Sequence, residues 1–153
     1  AEKTKLKDND IKIPYLHNED DITSFLAKQA VKSMELLDTK AIITDSYTGK
    51  TARYLAAYRG TCPVLAICYK ERLVRQLSLS YGVTPIYQEE KEDTRHYFFA
   101  ALKMLIENGF LKFRDKVAYL SGSQNVGGGT TFLEINSIDN IFSNQKEYLL
   151  PNF

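Results

Sequence analysis

Residues 40–51 read KAIITDSYTGKT, an apolar run that passes into a polar loop and a Gly-Lys-Thr triplet. The run at residues 40–44 is short and almost wholly apolar, as in strands that are buried on both faces of a parallel sheet. A helix is predicted over residues 49–58, directly after the loop. Strand, loop and helix in immediate succession are typical of α/β domains.

The same alternation continues along the chain. Further strands are predicted at residues 63–68, 84–87, 116–120 and 130–136, and further helices at residues 22–37, 71–81 and 93–108. We expect Asp20 or Asp21 to cap the first helix. Pro85 lacks a backbone donor, which places its strand at a sheet edge. The first helix is expected to bury its periodic apolar positions, which are Ile22, Phe25, Leu26, Ala30, Val31, Met34 and Leu37.

These elements predict a three-layer α/β/α sandwich around a five-stranded, mostly parallel sheet in the order 3-2-1-4-5. No helix separates strands four and five, so strand five is expected to be antiparallel. The sheet then has a switch point between strands one and four, and the loops at their carboxyl ends flank one crevice. Residues 21–136 form the predicted domain, residues 1–20 a linker or N-terminal extension, and residues 137–153 a tail packed on the domain or on a partner.

Composition limits the classes of function. The 153 residues suit one domain, and a net charge of +1 argues against a nucleic-acid partner. The sequence has neither an apolar run of membrane-spanning length nor a signal-peptide pattern, so we expect no membrane partner and a cytoplasmic location. Cys62 and Cys68 are about 20 Å apart along an extended strand, too far for a disulfide. No ligand-spaced Cys or His pairs indicate a metal site.

The loop after the first strand has the composition of a phosphate seat. Ser46, Thr48 and Thr51 offer hydroxyl groups, and Lys50 offers a positive charge. Gly49 allows the backbone to turn closely into the helix, whose first N–H groups attract anions. The alternative is that Ser46 or Thr48 only caps the helix and Lys50 is solvated.

The loop does not fit a Walker-type P-loop. That motif requires a glycine where this chain has Thr44, and it favours small residues where this chain has Tyr47. Neither strand two nor strand four ends in an Asp that could hold magnesium.

The second unusual loop is SGSQNVGGGTT at residues 121–131. Four glycines in eight residues let backbone N–H groups converge on an anion. The loop leads into a strand, so it is not a dinucleotide fingerprint, and a flexible hairpin is the alternative. The candidate phosphate-binding residues are Ser46, Tyr47, Thr48, Gly49, Lys50 and Thr51 from the first loop, and Gly122, Ser123, Gly127, Gly128, Gly129 and Thr130 from the second.

No catalytic constellation is evident in the sequence. His17 and His96 lie in the polar extension and near the start of a helix, and both are expected at the surface. Asp45 beside Ser46 could suggest an activated nucleophile, but no histidine has a predictable position beside them. The isolated chain is therefore not expected to be an enzyme.

A set of short segments, in order, resembles the C-terminal domain of pyruvate kinases over residues 22–136. The segments are LDTKAII at 37–43, TGKTARYLAAYR at 48–59, CPVLAI at 62–67, RQL at 75–77, YGVTP at 81–85, DKV at 115–117, SG at 121–122 and GTT at 129–131.

The resemblance implies a regulatory domain with tetramer contacts, in an enzyme that transfers a phosphoryl group from phosphoenolpyruvate to ADP. Catalysis, with its Mg²⁺ and K⁺, then belongs to a separate (β/α)8 barrel, and a barrel of about 250 residues cannot fit within this chain. In effector-regulated members, the two loops bind the phosphate of a sugar phosphate or nucleotide.

Two departures from the family bear on the effector. Lys50 replaces the usual Arg, and Tyr97 stands about where bisphosphate-binding relatives have an Arg. The chain also has no Trp. These differences argue against fructose 1,6-bisphosphate and leave a monophosphate or a vestigial pocket. A free-standing phosphate-ligand binding protein, or a small hydrolase or nucleotide-using enzyme on this fold, remains the alternative.

Overall fold

The computed structural model describes residues 21–89, 94–122 and 129–149. The strands are β1 (Ala41–Ser46), β2 (Val64–Cys68), β3 (Val83–Tyr87), β4 (Lys116–Ser121) and β5 (Phe132–Ser137). The helices are α1 (Ile22–Leu36), α2 (Lys50–Tyr58), α3 (Glu71–Leu77), α4 (Thr94–Glu107) and α5 (Ile138–Leu149). Within the described ranges, none of these helices is both long and apolar enough to cross a membrane.

The sheet has the predicted order, β3-β2-β1-β4-β5. The first four strands are parallel, and β5 runs antiparallel to β4. Pro85 lies in the edge strand β3, as predicted. In the centre, Thr44 of β1 is in register with Leu120 of β4, so these two strands end side by side. The segments that follow β1 and β4 therefore start at the same edge of the sheet.

Helices cover both faces of the sheet, which confirms the three-layer architecture. Helices α1, α2 and α3 pack on one face, where Ile42 and Leu55 belong to one buried cluster. Helices α4 and α5 pack on the other face, where Ile43 and Leu102 belong to a second cluster. Every residue of β2 is buried, as expected for a parallel strand covered on both sides.

The predicted apolar face of α1 is partly wrong. Ile22 and Phe25 are each 61% exposed, and Leu37 lies beyond the end of the helix and is 45% exposed. The buried positions are mostly small: Thr23, Ala27, Ala30, Ser33 and Met34. Small side chains let α1 pack closely on its neighbours, and Leu26 and Val31 are partly buried against the same cluster.

Three element boundaries also differ from the prediction. Helix α3 ends at Leu77 instead of continuing to residue 81, because Gly82 (φ +67°) and a turn lead directly into β3. Strand β1 extends through Ser46, so two residues assigned to the loop lie in the strand. The tail contains α5, for which no helix was predicted, and Ile138 and Ile141 at its start are buried against the second cluster.

Candidate functional site

The two unusual loops meet at one crevice beside the ends of β1 and β4. It contains about 360 Å³ of open space. Its lining residues are Asp45, Ser46, Tyr47, Thr48, Lys50, Thr51, Gly122, Gly129 and Thr130. Of the predicted site residues, Gly49 lies immediately behind this lining, whereas Ser123, Gly127 and Gly128 lie outside the described residues.

The β1–α2 loop turns sharply into its helix. Gly49 has a left-handed backbone (φ +82°), a conformation that glycine adopts without strain. Its N–H donates to Ser46 Oγ at 2.9 Å, and the Lys50 N–H is 3.4 Å from Thr48 Oγ1. Ser46 and Thr48 therefore stabilise the turn itself. The N-cap residue Gly49 has no side chain to cap α2, but Ser46 and Thr48 already accept from the N–H groups of Gly49 and Lys50, as in the alternative in which these residues cap the helix.

A buried pair of hydroxyl groups joins the two loops. Thr51 Oγ1 and Thr130 Oγ1 are 2.7 Å apart, and both residues are buried. The Thr130 N–H also donates to Thr23 Oγ1 of α1 at 3.1 Å. The first turn of α1 is thus a third element at the crevice.

Gly122 and Gly129 approach each other closely where the second segment leaves and rejoins the sheet. A Cβ atom on Gly122 would overlap the carbonyl oxygen of Gly129. Glycine is therefore required at position 122 by the close approach of two backbones.

Lys50 forms an ion pair with an element that the sequence did not connect to the loop. Its Nζ atom is 3.3 Å from Asp21 Oδ2, and Tyr54 OH donates to the same oxygen at 2.8 Å. Burial by itself would raise the pKa of Asp21, but hydrogen bonds from Tyr54 and the Ser24 N–H, together with the charge of Lys50, lower it overall. Asp21 is therefore ionised at neutral pH.

Asp45 brings a largely buried carboxyl group to the crevice. Ser121 Oγ donates to its Oδ2 atom at 2.6 Å, and Tyr119 OH lies 3.3 Å from the same atom. Burial raises the pKa of Asp45, and these two hydrogen bonds only partly offset that effect. Burial and the nearby Asp45 raise the pKa of Tyr119. Asp45 contacts β4 rather than the Ser46 hydroxyl, which accepts from Gly49, so the two do not form a nucleophile pair.

Two further residues, Arg53 and Tyr69, contact the loop without having been predicted. Arg53 donates from Nη1 to the carbonyl of Thr48 at 3.0 Å, and Tyr47 packs its ring 4.7 Å from the ring of Tyr69. The bulk of Tyr47 is thus accommodated by an aromatic neighbour. The spacing of Arg53 from Gly49, one helical turn, is the signal that could have identified it.

The remaining candidate ligands give no metal site. The described part of the chain contains no group of three or more His, Cys, Asp or Glu side chains able to hold a metal ion. Cys62 and Cys68 are both free thiols, and burial raises their pKa to about 12 and about 11. At neutral pH both are protonated and have little nucleophilic character.

Comparison with known proteins identifies a family whose sequence profile matches this chain. The profile of the family described as "Pyruvate kinase, alpha/beta domain" matches residues 24–136. This chain belongs to the pyruvate kinase alpha/beta domain family. The match runs from α1 to the penultimate residue of β5.

Relatives of this pyruvate kinase alpha/beta domain are whole pyruvate kinases. The enzyme of Borreliella burgdorferi is 40% identical over 119 residues, which are 76% of this chain and 25% of the relative. The enzyme of Clostridium acetobutylicum is 33% identical over 104 residues, 67% of this chain and 22% of the relative. This chain thus spans about a quarter of the curated relatives that it matches.

A solved structure confirms the fold. The crystal structure of a pyruvate kinase from Cryptosporidium parvum superposes with a TM-score of 0.70 at 23% identity, covering 76% of this chain and 23% of that one. At this identity the likeness supports the α/β architecture alone.

Proposed function

We propose that this pyruvate kinase alpha/beta domain is a regulatory and assembly domain, and that it binds the phosphate of a small effector in the crevice between its two loops. The parent protein is then a cytoplasmic, tetrameric enzyme that transfers a phosphoryl group from phosphoenolpyruvate to ADP. Its catalytic barrel, with Mg²⁺ and K⁺, lies in another part of that protein.

The proposal rests mainly on one observation, which is that groups from both loops lie together at one edge of the sheet. An ammonium group (Lys50), a glycine turn at the start of α2, and the buried Thr51–Thr130 pair all lie at one crevice. Helix N-termini with a nearby cation favour phosphate groups, because the N–H groups and the charge act in the same direction.

The exposed apolar side chains support the assembly role. Ile22 and Phe25 on α1, and Phe110 and Phe113 after α4, are all more than half exposed. Exposed large apolar side chains that lie together are typical of surfaces that contact other domains or subunits. Sedimentation of the full-length parent should give a tetramer, and a monomeric parent would contradict this part of the proposal.

The binding role is tested by thermal unfolding with a panel of anions. A hexose 6-phosphate, a nucleoside monophosphate, inorganic phosphate and sulfate are each added to the purified chain. A ligand at 100 times its Kd stabilises a protein by about 2.7 kcal/mol. For a chain of this size that corresponds to a rise in Tm of about 5–10 °C.

Two charge variants make the test specific. Lys50→Met removes the cation at the crevice and should abolish most of the rise in Tm. Lys40→Met removes an exposed cation that pairs with Asp38 at the opposite end of β1, and it should leave the rise unchanged. A flat response of the wild-type chain to the whole panel, or an equal loss in both variants, would contradict the binding role.

A further inference from the structure

The N-cap residue of α1 places a carboxylate beside Lys50, which lines the crevice. Asp21 Oδ2 lies 3.3 Å from Lys50 Nζ, and the side chain of Asp21 is only 16% exposed. Two residues later, Thr23 Oγ1 accepts a hydrogen bond from the Thr130 N–H. The cation available to an anionic ligand is therefore already paired with an acidic group of the same chain.

The position of Asp21 does not depend on Lys50. Its Oδ1 atom caps α1 by accepting from the N–H groups of Thr23 and Ser24 at 3.0 and 3.4 Å. Its Oδ2 atom accepts from Tyr54 OH at 2.8 Å. These bonds hold the carboxylate in place whichever way the lysine points.

Lys50, by contrast, is the more exposed member of the pair. Its side chain is half exposed, and its ammonium group sits at the end of a flexible four-carbon stem. The ring of Tyr54 lies 5.8 Å from the ammonium group, so the described contacts of this group are electrostatic rather than close packing. An anion entering the crevice can therefore attract Lys50 without breaking the cap of α1.

We propose that Asp21 is the counter-ion of Lys50 when no ligand is bound. An entering phosphate group then replaces the Asp21 carboxylate as the partner of the Lys50 ammonium group. This inference rests on the proposed function, because it concerns how the same crevice binds its ligand. Asp21 is a positioning residue: it weakens binding by competing for Lys50 and requires no contact with the ligand.

The exchange also selects for ligand charge. A phosphate ester carries close to two negative charges at neutral pH, so it attracts the ammonium group more strongly than a single carboxylate does. A ligand with one negative charge gains little by replacing Asp21. The exchange is therefore more favourable for a phosphate ester than for a simple carboxylate.

The coupling is reciprocal. If the ligand weakens the Asp21–Lys50 pair, then weakening that pair must strengthen ligand binding by the same factor. The start of α1 and the crevice are thus thermodynamically linked through one ammonium group.

The experiment measures the Kd of a hexose 6-phosphate by isothermal titration calorimetry in three single variants. Asp21→Asn keeps the cap, since Asn is as good an N-cap as Asp, and removes only the charge. We expect its Kd to fall about threefold to fivefold, the factor that corresponds to a partly exposed ion pair. Asp38→Asn removes an exposed carboxylate far from the crevice, which pairs with Lys40, and should leave the Kd unchanged. Tyr54→Phe leaves the carboxylate charge in place and frees Oδ2 for Lys50, so it should give no gain in affinity.

A double variant separates competition from a structural effect. In a Lys50→Met background, Asp21→Asn should not change whatever affinity remains, because the contested cation is gone. Acetate must break the same ion pair to reach Lys50, so it should gain no more from Asp21→Asn than the phosphate ester does.

The outcomes distinguish the two proposals. A wild-type chain that binds the ester, together with an Asp21→Asn variant of equal or weaker affinity, overturns the counter-ion role and leaves the proposed function standing. An equal gain in the Lys50→Met background also overturns it. If neither the wild type nor Asp21→Asn binds any of the anions, the proposed function fails and this inference fails with it.

Discussion

The buried hydroxyl pair between the two loops gives the most quantitative prediction. Replacing Thr51 by Val keeps the shape of the side chain and removes one hydroxyl, so the Thr130 hydroxyl loses its partner at 2.7 Å. Both residues line the crevice but are more than nine-tenths buried, which limits the access of water to the remaining hydroxyl. The effect of the substitution is therefore mainly the loss of one hydrogen bond inside the protein.

The size of the effect follows from the cost of an unsatisfied buried polar group. Leaving a buried hydroxyl without its partner costs about 1–3 kcal/mol, whereas removing both partners together is nearly neutral. We expect Thr51→Val and Thr130→Val each to lower the free energy of unfolding by about 1–3 kcal/mol. The double variant should lose much less than the sum of the two.

The assay is equilibrium unfolding in urea, with a matched control in the same chain. Thr39 is also buried, and its hydroxyl has no hydrogen-bond partner among the described residues. Thr39→Val makes the same chemical change without breaking a bond, so it should leave stability unchanged or raise it. The reasoning is refuted if Thr51→Val costs no more than Thr39→Val, or if the effects at positions 51 and 130 simply add.

Three other predictions test the crevice and its surroundings. Gly122→Ala should lower the free energy of unfolding by about 1–3 kcal/mol, because the added Cβ atom overlaps the Gly129 carbonyl. The control Gly82→Ala has open space around it and should cost about 1 kcal/mol. Equal costs in urea unfolding would contradict the close approach of the Gly122 and Gly129 backbones. Burial raises the pKa of Asp45, so above about pH 3.8 the unfolded chain loses this proton before the folded protein does. The free energy of unfolding should therefore fall as the pH rises above about 3.8. Asp45→Asn should remove that slope, and an unchanged pH profile of Tm would argue against it. The purified chain should transfer no phosphoryl group from phosphoenolpyruvate to ADP in a coupled assay, and measurable turnover would refute this.

The sequence predicts the sheet well because its signals are local and strong. The apolar runs at β1 and β2 have few alternatives to a buried parallel strand, and Pro85 marks the edge where β3 lies. The absence of a helical segment between β4 and β5 indicates their antiparallel pairing. These features need no knowledge of distant contacts.

The face of α1 could not be predicted in the same way. The apolar residues of α1 with helical spacing cover a wider face than the face that is buried. The small residues of α1 determine which face packs against the rest of the domain. Ile22 and Phe25 therefore match the helical period and still face solvent. The helix α5 was not predicted although Ile138, Ile141 and Phe142 have helical spacing, because the five polar residues at 143–147 interrupt the pattern.

The candidate site was predicted in outline and missed in its connections. The sequence indicates both loops and the residues that line them, because Gly-Lys-Thr and a glycine-rich run are local patterns. It does not indicate that Asp21, almost thirty positions earlier, pairs with Lys50, or that Ser121 binds Asp45. Those contacts arise only when separate elements pack together.

The most direct test of the central claim is a titration of the ¹⁵N-labelled chain with a hexose 6-phosphate, followed by NMR. The account predicts saturable shifts of the backbone amide signals of Thr48, Lys50, Thr51 and Thr130, with little change at the opposite end of β1. Signals that do not shift, or saturable shifts centred on another surface, would contradict phosphate binding at this crevice.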